Sequence, residues 1–151
     1  MQGTWQEQWE RVQIGLRRVE EIYKGRPETA GSPEAVYDLY AFFMNALHLR
    51  DWLANDPHVP ADWGKVTAAM RGSDPLRICE DFAIATKHLK VDRPQIDANT
   101  RTLRQDVAVG GGQWASHAWR IAADNVQYDA LDLAGDILRA WEVFLEAEDL
   151  L

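Results

Sequence analysis

Two short segments place ionisable side chains among residues that otherwise build a core. The first is His48-Leu49-Arg50-Asp51-Trp52-Leu53; the second runs from Cys79-Glu80-Asp81 through Lys87-His88-Leu89. Burying an unpaired charge is costly, so such placement needs a reason. His48 and Asp51 stand three apart, on one face of a helix, as acid–base or metal-binding pairs often do. Asp81 and His88 stand seven apart, two turns along nearly one line, together with Ile78 and Ala85. If the two helices face each other, two imidazoles and two carboxylates converge. That set (His48, Asp51, Asp81 and His88) suits zinc or a similar divalent ion in a bundle core. A second reading is a satisfied polar network, in which Asp51 or Asp81 orients a histidine or pairs with Arg50 or Arg77 and so fixes helix register. A third is a metal-free site, with His48 or His88 as general base and Arg50 or Lys87 stabilising an anion. His58, in an Asp-Pro-His-Val-Pro loop, and His117 are expected at the surface, outside any such site.

Helices must position these groups. Trp5, Trp9, Val12, Leu16, Val19 and Tyr23 recur at spacings of four and three, which predicts a first amphipathic helix ending at Gly25-Arg26-Pro27. Ser32-Pro33-Glu34 opens a second, to about Asn55, with apolar side chains on nearly every side; it must be central. A short helical piece follows from Asp62 to about Met70. Asp74-Pro75 then starts a third long helix, to about Leu89. Between Arg101 and Tyr128 the period shortens. Leu103, Val107 and Val109 precede Gly110-Gly111-Gly112, and Trp114, Trp119, Ile121 and Val126 follow, which predicts a β-hairpin or three-strand meander with its last turn at Asp124-Asn125. The glycine run turns a hairpin and does not cradle phosphate, since no P-loop lysine or helix start follows. Leu131, Ala134, Ile137, Leu138, Trp141 and Leu145 restore helical period from about Asp129 to Glu148. The expected architecture is one mainly α domain over 1–151, a four-helix bundle with an additional short helix and a small β insertion at 102–128.

Composition narrows the function classes. Apolar residues make up 46% of the chain and seven are Trp, so it can build a full core. The net charge of −8, from 24 acidic and 16 basic residues, repels phosphate backbones and anionic lipid. Generic nucleic-acid binding is therefore disfavoured, although Lys87, Lys90 and Arg93 could form a local patch. The longest uncharged apolar stretch, Leu39 to Leu49, is shorter than the roughly 18–20 residues that span a bilayer. The first residues carry no secretory pattern, so a cytoplasmic location is expected. Cys79 is the sole cysteine; its apolar neighbours suggest a core residue.

Tyr40-Ala41-Phe42-Phe43 through His48-Leu49-Arg50-Asp51-Trp52-Leu53, with Cys79-Glu80-Asp81 through Lys87-His88-Leu89, resemble a group of small uncharacterised bacterial and phage helical proteins. The helix order and the closing Trp141-Glu142-Val143-Phe144-Leu145 fit that group as well. Where it typically carries Asn-Gly, this chain has Ile84-Ala85. The arrangement is also similar to HEPN-type helical bundles, many of which are ribonucleases or toxin components. Their Arg/His motif is absent: no histidine here has an arginine five to seven residues upstream. The expectation is a small interaction or regulatory protein with an intra-bundle polar site, and a homodimer or another protein as partner. The alternative is a HEPN-like or metal-dependent hydrolase or nuclease acting at that site.

Overall fold

A computed structural model describes residues 3–27, 34–88, 94–96, 101–110 and 114–151, with the backbone alone at His88 and at 101–110. Helix α1 (Trp5–Lys24) buries Trp5, Gln8, Trp9, Val12, Gly15, Val19 and Ile22. The buried face includes the expected stripe, with Leu16 and Tyr23 packed at its edge. At Gly25 the chain turns with φ 100°, a region that disfavours side chains, and a Cβ there would collide with the Trp114 ring. Both facts require glycine.

Helix α2 (Glu34–Asn55) is central, as its apolar surround requires: Leu39, Phe42, Phe43, Leu47, Leu49 and Leu53 are all buried. The proposed Ser32-Pro33 start lies outside the described residues. Helix α3 (Trp63–Arg71) is the short piece, capped by Asp62, whose carboxylate accepts the Lys65 N–H at 2.9 Å. Helix α4 (Asp74–His88) starts one residue differently from expectation. Ser73 holds the cap position, its carbonyl accepting the Arg77 N–H at 3.0 Å, so Asp74 and Pro75 fall inside the first turn. The expected end at Leu89 lies outside the described residues.

Strands β2 (Arg101–Gly110), β3 (Trp114–Ala123) and β4 (Val126–Asp129) form the antiparallel meander. Asp124 and Asn125 both have positive φ, 52° and 61°, the type I′ geometry that matches strand twist in a two-residue hairpin. Unanticipated is β1 (Arg26–Pro27), which pairs with the start of β3, Arg26 opposite Ala115. Gly111 and Gly112 lie outside the described residues. Helix α5 (Ala130–Ala147) is capped by Asp129, which accepts the Asp132 N–H at 3.0 Å.

The four long helices α1, α2, α4 and α5 surround one core, and the sheet closes it beside α1 and α5. Phe43 and Phe82 meet at 4.6 Å between ring centroids, locking α2 to α4, and Trp141 Nε1 donates to the Ala46 carbonyl at 3.0 Å, locking α5 to α2. Each such large side chain, fully buried, contributes about 1.5–3 kcal/mol. Among the described residues, no helix is long and apolar enough to cross a membrane.

Candidate functional site

Helices α2 and α4 do pack together, in opposite directions. Arg50 meets Glu80, Phe43 meets Phe82, and Met44 meets Thr86. His48 and Asp51 therefore lie beside the start of α4, while the His88 backbone closes its far end, beside the first half of α2.

Arg50 organises the near end. Its Nη1 donates to Glu80 Oε1 at 3.0 Å, its Nε donates to Asp51 Oδ1 at 3.0 Å, and its guanidinium stands 4.9 Å from the Trp63 ring centroid. One planar cation thus joins α2, α3 and α4, with Trp63 shielding it from solvent. His48 is exposed and Asp51 is partly so. Lys87 is exposed.

Asp81 is wholly buried, and its charge is met by the chain that follows α4. Its Oδ1 accepts the Gln95 N–H and its Oδ2 the Ile96 N–H, both at 2.7 Å. Short bonds to an ionised acceptor are the strong kind, and they anchor this segment to the core. Asp81 and His48 thus occupy opposite environments, interior and surface. Among the described residues, no group of three or more His, Cys, Asp and Glu is placed to hold a metal ion. The His88 side chain is not among those described.

Cys79 is buried as expected, its thiol donating to the Phe43 carbonyl at 3.5 Å. Burial, with Glu80 nearby, pushes its pKa well above the usual thiol range, so the sulfur is held as a thiol.

His58 is exposed, but the surface placement expected for His117 is wrong. Along β3 the residues Ala115, His117, Trp119, Ile121 and Ala123 are buried in strict alternation, and the His117 ring stacks on Trp119 at 5.9 Å with an interplanar angle of 9°. The signal in the sequence is the period of two, which puts His117 on the same face of the strand as Trp119 and Ile121. Gln8, also buried, was missed although it sits on the α1 stripe, three after Trp5 and four before Val12.

A second feature appears only in three dimensions. An apolar groove of about 690 Å³ runs between α5 and the corner joining α3 to α4, lined among others by Ala69, Pro75, Leu76, Ala140, Val143 and Ala147. Val143 is 52% exposed in it, high for a branched aliphatic side chain on a core helix.

No family model, curated protein or solved structure matches this chain.

Proposed function

We propose that this chain is a protein-interaction module that assembles with a second copy of itself through the exposed face of α5 and its adjoining groove. The observation that carries this reading is the groove with Val143 at its rim. Apolar surface of this kind, bordered by charge, marks association sites.

The occupant follows from the charges beside it. Ala140, Val143 and Ala147 share one face of α5 at spacings of three and four, small enough for a second helix to approach closely. Two copies of α5 crossing antiparallel about a dyad at Val143 bring Arg139 of each copy against the partner subunit's Glu146. Both side chains are more than half exposed, and within one copy the Arg139 guanidinium already lies 3.1 Å from Glu142 and 3.3 Å from Glu146. A twofold interface needs such self-complementarity.

The polar groups singled out in the sequence support this reading from the other side. Arg50 and Asp81 are engaged in internal contacts that tie elements together, which is what a closed register network does. A HEPN-like or metal-dependent hydrolase would need His48, Asp51, Asp81 and His88 available to one substrate, and the burial of Asp81 weighs against that use.

Sedimentation velocity over a concentration series tests the proposal. The expected result is a monomer–dimer equilibrium that Val143→Glu abolishes while the helical circular-dichroism signal is kept. Arg139→Glu weakens association, and adding Glu146→Arg restores it. A chain that stays monomeric throughout, or a Val143→Glu variant that still dimerises, overturns the reading.

A further inference from the structure

A different face of the molecule carries a second, independent inference. In a chain of net charge −8, Arg11 and Arg18 stand two turns apart on one side of α1 and border a small cleft against α2. The cleft has a volume of about 190 Å³. Gly15 lies between the two arginines and Ala41 faces them from α2, so the helices leave space there. The helices approach closely at Gly15, where a Cβ would stand 3.3 Å from the Phe42 ring.

The donors at one end are fixed from within. Gln8 is 1% exposed, and its amide serves both neighbours at once. Its Oε1 accepts from Arg11 Nη1 at 2.8 Å, and its Nε2 donates to Asn45 Oδ1 at 3.2 Å and to the Asn45 carbonyl at 2.9 Å. With Asn45 Oδ1 occupied as an acceptor, its Nδ2 group is left to donate. Arg11 is steadied further by the Trp52 ring, 5.3 Å from its guanidinium carbon. At the other end, Arg18 makes no ion pair or hydrogen bond with any described residue. Asp38, the carboxylate on the wall, is already paired with Arg26 at 3.2 Å.

We propose that this cleft is an anion site that takes a single phosphate group, free or at the end of a small phosphate monoester. Two guanidiniums and an amide supply donors from both ends, and a tetrahedral oxyanion presents acceptors toward both. The arginines are seven residues apart, about 10.5 Å along the axis; Arg11 borders the cleft at the Gln8 end and Arg18 at the other, so a bound oxyanion draws the Arg18 side chain toward the fixed Arg11 end. The volume lies below the about 300–1,000 Å³ of sites for drug-sized molecules, so the group bound is small and any remainder of an ester projects into solvent. Gln8 is a positioning residue: it holds Arg11 and Asn45 ready, so that little side-chain entropy is lost on binding.

The test uses the intact chain at constant ionic strength, titrated with inorganic phosphate and separately with glycerol phosphate, followed by isothermal calorimetry and amide chemical shifts. One saturable site is expected, with shifts centred on Arg11, Arg18 and Asn45. Stronger binding of glycerol phosphate assigns the monoester, and equal or weaker binding assigns the free ion. Arg11→Gln and Arg18→Gln each weaken binding about tenfold or more. Arg17→Gln, which removes an equal charge from outside the cleft, leaves affinity unchanged. Both arginines are exposed, so the folded state survives their loss. Absence of saturable binding, or equal weakening by Arg17→Gln, overturns the proposal.

Discussion

The hydroxyl of Tyr23 stands 3.0 Å from Asp129 Oδ1, across 106 positions of chain. The Tyr23 hydroxyl oxygen accepts the N–H groups of Trp119 at 3.1 Å and Leu131 at 3.2 Å, so one side chain of α1 ties down both the central strand and the start of α5. Tyr23→Phe strands two backbone donors at this junction. A loss of about 1–3 kcal/mol is expected in urea unfolding followed by tryptophan fluorescence. Burial, with Asp129 nearby, raises the Tyr23 pKa from 10.0 to about 12. The unfolded chain therefore releases this proton first, and the stability held below pH 10 declines as pH rises toward 12. Tyr23→Phe should remove that part of the alkaline decline; an identical profile for the variant would assign it to other groups.

Asp81 makes its two bonds as a carboxylate with two equivalent oxygens, a role an amide cannot fill. In Asp81→Asn one of the Gln95 and Ile96 N–H groups faces an NH2 group in place of an oxygen, leaving a donor against a donor. The expected cost is about 1–3 kcal/mol. Hydrogen exchange locates it: the amides of Gln95 and Ile96 should lose protection ahead of the helices. Unchanged protection at both would show that other contacts hold the segment.

Arg50 and Glu80 are each 18% exposed at the side chain, between the surface and buried limits. Removing either partner alone should cost about 1–3 kcal/mol, more than an exposed pair and less than a fully buried one. A double-mutant cycle with Arg50→Met and Glu80→Leu isolates the coupling. The paired variant should recover part of the loss, because two apolar side chains at this three-helix corner leave no charge stranded. Additive losses would mean that Arg50 acts through Trp63 and Asp51 instead.

The helices were legible because their cause is local. The three-and-four spacing of Trp5, Trp9, Val12 and Val19, the caps at Asp62 and Asp129, and the Asp124-Asn125 turn all act within a few residues. The β1–β3 pairing was not, since two residues, Arg26 and Pro27, carry no period and are set in place by the turn at Gly25. The candidate site was legible as a list of ionisable residues but not as a geometry. Asp81 and His48 sit on helices that do pack together, yet rotation about each axis sends one carboxylate to the interior and one imidazole to solvent. Phase of that kind depends on which neighbours cover each helix. Gln8 is the converse case: a polar residue on an apolar stripe was a signal in itself, because a buried amide requires partners.

The start of α1 is held from the far end of α2. Thr4 occupies the N-cap position without a side-chain cap bond, and instead Asp56 Oδ2 accepts the Trp5 N–H at 3.1 Å. The other oxygen accepts the His58 N–H at 2.9 Å. These backbone donors, His58 first and then Trp5, hold the Asp56 carboxyl below its ordinary range. With the folded value depressed, the contribution is present above the unfolded pKa of 3.8 and is lost as pH falls through the folded value. Acidification should therefore loosen the first turn of α1 before the core melts, read as faster exchange at the Trp5 amide. Asp56→Asn should bring the same loosening at neutral pH and make it insensitive to acid. If the variant keeps the acid dependence, the group responsible is not Asp56 and the hold on the Trp5 amide lies elsewhere.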